Sequence, residues 1–154
     1  MSDTGTLDMR WLATYHETGT WTPEFAGSGT PGTFGHAANS QKGYYVRQGN
    51  IAHIFGYLVI NAITVAPTGV MAITGLPFAA NSATNYRAGV DWGIIDNFNY
   101  TGATTAIQLT GVIVASGTSI LLFESFDNGA TVQVPAANFT NANCNLQFSA
   151  TYLI

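Results

Sequence analysis

The chain has 154 residues, enough for one hydrophobic core and too few for two ordinary domains. Apolar residues make up 47% and charged residues only 8%, against about 25% charged in average soluble proteins. Four basic side chains, Arg10, Lys42, Arg47 and Arg87, face eight acidic ones for a formal charge of -4, which excludes the clustered cations that a nucleic-acid backbone or an anionic membrane surface requires.

Residues 1–19 show no clear period, yet carry Leu7, Met9, Trp11 and Leu12. Such side chains are costly on a free terminus, so this segment is expected to be an arm that docks on a neighbouring subunit or a partner. From residue 20 to 154 the texture is that of one β domain. Thr20 to Phe25 reads as a short strand, GSGTPG (Gly27 to Gly32) as a loop, and Phe34 to Gln41, rich in Ala, Asn and Ser, as irregular. The organising stretch is Gly43 to Val65. Within it Ile51, His53, Phe55, Tyr57 and Val59 alternate with Ala52, Ile54, Leu58 and Ile60, so both faces of the strand are apolar and both need cover. Gly49-Asn50 marks a tight hairpin before it, and the length of the run predicts a bend near Gly56 or Asn61.

Val70 to Thr74 is a further short strand. Tyr86 to Ile95 places Tyr86, Ala88, Val90, Trp92 and Ile94 on one apolar face, followed by a loop, Asp96 to Gly102, that holds Phe98 and Tyr100. Thr105 to Ala115 and Ser119 to Phe126 form a hairpin through Ser116-Gly117-Thr118. Thr131 to Val134 is short and stops at Pro135. Asn145 to Ile154 alternates again, with Leu146, Phe148, Ala150, Tyr152 and Ile154 on one face. About eight short strands with regular turns and no helical period describe an all-β, antiparallel β-sandwich, with the jelly-roll as the topology expected of that class. No run of about twenty apolar residues is present, so membrane insertion is not expected. The single Cys144 has no intrachain partner. So little charge beside so much Thr, Asn, Ser and Gly predicts apolar surface hidden in an oligomer.

Several segments are similar to one known family. YHETGTWTPEF (Tyr15 to Phe25) resembles the "YEEGTWTPT" motif of the C-terminal domains of bacteriophage tail fibres and tailspikes, and GYYVRQGNIAHIFGYLVI resembles their "GRYTKIGNTVHVSGYI". ITGLPF (Ile73 to Phe78) is similar to "ISGLPF", and LQFSATYLI to the closing "LRFSGTYR". The matches keep their order from Tyr15 onward. The resemblance implies a TNF/C1q-like jelly-roll that assembles as a homotrimer on the virion surface, without enzymatic activity, with an apolar sheet face along the three-fold axis. The face of Ile51, His53, Phe55, Tyr57 and Val59 is the expected trimer interface.

If the chain is a whole gene product, an arm of about twenty residues reaches only on the order of 60 to 70 Å and has no repeat to wind into a shaft. That favours direct docking on a shell, as a capsid decoration protein (cement or knob) held by Leu7, Met9, Trp11 and Leu12. The alternative is the receptor-binding tip of a tail fibre or tailspike, in which Tyr86, Trp92, Phe98 and Tyr100 stack on a host surface glycan. The expected partners are thus two further copies, a phage capsid or tail protein and a host glycan. No cofactor or metal is expected: His16, His36 and His53 are scattered, no phosphate loop or nucleophile motif occurs, and Asp91 with Asp96 is a carboxylate pair without a cleft around it.

Overall fold

The computed structural model describes residues 15–99, 106–140 and 143–154. The described residues hold ten strands and one short 3-10 turn. In chain order these are β1 (His16–Trp21), β2 (Glu24–Gly27), β3 (Thr33–Gln48), β4 (Ile51–Val65), β5 (Met71–Thr74), β6 (Arg87–Asp96), β7 (Ala106–Val114), β8 (Ser119–Phe126), β9 (Val132–Gln133), the turn Ala136–Asn138, and β10 (Asn145–Leu153). Every pairing is antiparallel. The strands follow the order β1-β3-β4-β10-β6-β7-β8-β5-β2, with β9 on β8. The sheet curls over one core, in which Ile54 and Leu58 of β4 and Leu146 of β10 share a cluster with Leu109, Ile113, Ile120 and Leu122 of β7 and β8. This is the antiparallel β-sandwich expected from the alternation.

Five strands cross the core in one aromatic row. Trp21 pairs with Gly43, Gly43 with Gly56, Gly56 with Phe148, and Phe148 with Trp92. The two glycines sit where the rings need room: a Cβ on Gly43 would run into the Trp21 indole, and one on Gly56 into the Phe148 ring. With those spaces open, Trp21 meets Phe148 edge-on with ring centroids 6.1 Å apart, and Trp92 tilts against it at 5.6 Å. The Trp21 Nε1–H donates to the Phe55 carbonyl at 3.2 Å, satisfying the indole as it is buried.

The β3–β4 hairpin turns at Gly49-Asn50, with Gly49 at φ 59 as a tight turn requires. The bend expected in β4 falls at Asn61. His36 pairs with Ile60 and Gly35 with Ala62, so Asn61 is an extra residue and the inward phase passes from Ile60 to Ile63. Three expectations are corrected. Thr20 to Phe25 is not one strand: Thr22-Pro23 separates β1 from β2, which lie at opposite ends of the strand order. Phe34 to Gln41 is not irregular: it belongs to β3, where Ala37 to Ser40 bulge opposite Val59 with Asn39 at φ 62. In β6 the unpaired Gly93 shifts the register, since Phe148 pairs with Trp92 but Gln147 with Ile94. Ile95 then packs on the core and Ile94 is exposed.

A polar knot ties β2 to β3. The Glu24 carboxylate accepts the Phe25 amide at 3.0 Å and the Gln41 side-chain amide at 2.8 Å, and lies 3.0 Å from His36 Nε2. Glu24→Ala removes the carboxylate from the Phe25 amide and His36 and leaves the Gln41 amide only the Pro23 carbonyl. We expect a loss of about 1–2 kcal/mol, reduced from the fully buried case by partial solvent access. An unchanged urea midpoint would show that the knot adds nothing.

Candidate functional site

The pleat that sends Ala52, Ile54, Gly56, Leu58 and Ile60 inward sends Ile51, His53, Phe55, Tyr57 and Val59 to the other side of β4. None of the described residues covers that side. Phe55 is 51% exposed and Tyr44, its partner on β3, 56%. Tyr57, Ile51, Ile94 and Leu153 are exposed on the same face, while His53 and Val59 are half-buried. Pairing aligns the side chains in rows across four strands: Lys42, Tyr57, Gln147 and Ile94 in one, Tyr44, Phe55, Ser149 and Asp91 in the next. The rows enclose a groove of about 440 Å³, its walls formed by the rings of Tyr44, Phe55 and Tyr57 and its margins by Lys42 and Asp91. Beyond it His53 Nδ1 lies 2.8 Å from the Thr151 hydroxyl, so the histidine has a partner within its own subunit.

The five residues expected at a subunit interface are therefore brought to one face. Sequence reasoning missed Lys42, Tyr44, Gln147 and Ser149 as their neighbours. The signal was available: counting back by twos from the Gly49-Asn50 turn puts Tyr44 on the side of Phe55, and Gly43 and Tyr45 on the core side.

The aromatics expected to stack on a glycan are not assembled into one surface. Tyr86 and Phe98 flank opposite ends of β6. The Trp92 ring packs on Phe148 and the Phe98 ring on Phe139, at 5.4 Å, while the Tyr86 hydroxyl accepts the Leu153 amide at 2.6 Å. Tyr100 lies outside the described residues, as do Leu7, Met9, Trp11 and Leu12 of the expected docking arm.

The groups that carry acid, base or metal chemistry are used elsewhere or stand apart. Glu17 accepts a hydrogen bond from the Tyr45 hydroxyl at 2.7 Å, which raises the pKa of that phenol, and lies 3.9 Å from Arg47. Cys144 is buried, and desolvation followed by the charge of Asp96 pushes its thiol up to about 12. Among the described residues no three His, Cys, Asp or Glu side chains gather as metal ligands, and no helix is long and apolar enough to cross a membrane.

No protein-family model matches the chain, and no curated protein matches it. A solved structure does: the crystal structure of the Dettilon tailspike protein (gp208) superposes with a TM-score of 0.60 at 15% sequence identity. The likeness covers 89% of this chain and 23% of that one, so the chain spans less than a quarter of the tailspike's length. At that identity the likeness is one of fold: the β-sandwich described above is also found as part of a phage tailspike.

Proposed function

We propose that the protein is a non-enzymatic structural component of a bacteriophage virion, associated with the tail, and that it assembles as a homotrimer through the outer face of β3, β4, β10 and β6. The observation that carries this is the row of Tyr44, Phe55 and Tyr57, which no described residue covers, on a fold that a phage tailspike also uses. Soluble monomers rarely leave a contiguous apolar patch of this kind open, and a face of exposed rings in an otherwise charge-poor chain is the composition of a subunit interface. Its function would be mechanical: burial between subunits holds the assembly rigid while other surfaces meet the virion or the host cell.

Phe55→Asp tests the assembly. The side chain is half exposed in the single chain, so folding should survive, as followed by circular dichroism, while a charge inside the interface separates the subunits. Native mass measurement is expected to give a trimer for the wild type and a single chain for the variant. A wild-type monomer at tens of micromolar would refute the reading. The copy number in purified particles tests location: a ratio to the major capsid protein matching other tail components supports the tail, whereas near-equality with the capsid protein would replace it with decoration of the shell.

A further inference from the structure

The outer face carries opposite charges at its two margins that have no ion partner among the described residues. Lys42 is on β3 and Asp91 on β6, with β4 and β10 between them. At about 4.8 Å per strand they stand roughly 14 Å apart across the sheet and one row, about 7 Å, apart along it, beyond the reach of a direct ion pair. Both are exposed and both line the groove. The ion pairs among the described residues are His36 with Glu24 and Arg47 with Glu17. The other described cation, Arg87, is four residues from Asp91 on the same strand, about 13 Å away when extended. Between the two charges lie Tyr44, Phe55, Tyr57, Gln147 and Ser149, none of which is charged.

Covering this face removes water from Lys42 and Asp91 together with the rings. A lone charge so treated is costly, and a pair of opposite charges brought together recovers much of the loss. A face with a cation at one margin and an anion at the other is complementary to a second copy of itself turned so that the two margins meet. We propose that Lys42 of one subunit pairs with Asp91 of the next, and that this pair fixes the angle at which the aromatic faces dock. The inference rests on the self-assembly proposed above and names the contact that would select its geometry. In a ring of three, each subunit gives its Lys42 to one neighbour and its Asp91 to the other, which closes the ring without a leftover charge.

The test is a charge swap on the full chain, read as the dissociation constant of the oligomer by sedimentation at several dilutions. Lys42→Glu and Asp91→Lys are each expected to raise it at least tenfold, because each places like charges against one another, and the double variant should return it to within about tenfold of wild type. Asp96→Lys is the control: Asp96 is exposed on the same strand but lies outside the groove, so its substitution should leave the constant unchanged. Single variants that assemble as tightly as wild type, or a double variant that fails to recover, would overturn the pairing while leaving self-assembly intact. A wild-type chain that stays monomeric would overturn both. All three positions are exposed, so unchanged circular dichroism is expected throughout.

Discussion

Adding one methyl group at Gly56 is expected to lower the unfolding free energy by about 1–3 kcal/mol, although it enlarges a residue that makes no side-chain contact of its own. The added Cβ would occupy the space of the Phe148 ring, which Trp21 and Trp92 hold from either side. All three rings belong to or pack against the buried core cluster, so none has free space to move into. The opposite change, Phe148→Ala, should cost about 3–5 kcal/mol by leaving a cavity in the middle of the row. The decisive comparison is the pair. With the ring gone the methyl group has room, so Gly56→Ala in the Phe148→Ala background should cost clearly less than in the wild type, with a coupling energy of about 1–3 kcal/mol in urea titrations. Strict additivity would mean that the glycine is there for backbone reasons alone.

At alkaline pH the fold should lose stability through two buried groups, Tyr152 and Cys144. Tyr152 is almost wholly buried, its hydroxyl donating to the Phe78 carbonyl at 3.0 Å. Burial pushes its pKa up from 10.0 to about 12. Cys144 moves from 9.0 to about 12 for the same first reason. In both cases the folded state holds its proton after the unfolded state has released it. Stability is therefore fully present below pH 9 and falls as the pH rises towards 12. At about 1.4 kcal/mol per unit, the two groups together take on the order of 4 kcal/mol by pH 11. Urea midpoints measured between pH 7 and 11 under reducing conditions should fall steeply for wild type and much less for the Tyr152→Phe/Cys144→Ala double variant. Equal slopes would sink the assignment. The variant should also start lower at neutral pH, since the Phe78 carbonyl loses its donor.

Much of this architecture is legible in the residues. The β3–β4 and β7–β8 hairpins announce themselves because period-two alternation flanks turn residues that accept positive φ: Gly49 in one and Ser116, at φ 56, in the other. What escapes is whatever depends on register. One extra residue, Gly93, turns Ile94 out and Ile95 in, and no alternation count can foresee it because the shift is set by the partner strand. The first half of β3 escapes for a different reason: Ala, Asn and Ser have weak strand preference, and the segment is held by pairing with β4 rather than by its own pattern. The exposed outer face was half legible. Its β4 residues follow from alternation, whereas Tyr44, Gln147 and Asp91 join them only once β3, β10 and β6 are laid alongside. Of the residues expected to stack on a glycan, Tyr86, Trp92 and Phe98 are near in sequence but engaged in separate places: the Tyr86 hydroxyl accepts the Leu153 amide, while the Trp92 and Phe98 rings pack on Phe148 and Phe139.

The position of β10 bears on how the molecule comes into being. Among the described strands it alone joins β1, β3 and β4 to the remainder of the sheet, and it does so between β4 and β6. As the chain leaves the ribosome, the long β3–β4 hairpin and the β6–β7–β8 meander can each form early, but each then presents an unpaired edge and one side of a half-built core. Those edges wait for β10, which emerges after all the other described strands, and until it arrives they are open to the wrong neighbour. On a polysome, where identical nascent chains stand side by side, that neighbour is the same hairpin of another copy. The interval before β10 emerges is thus when exchange of strands between chains competes with correct closure, and slowing translation ahead of it should lower the soluble yield.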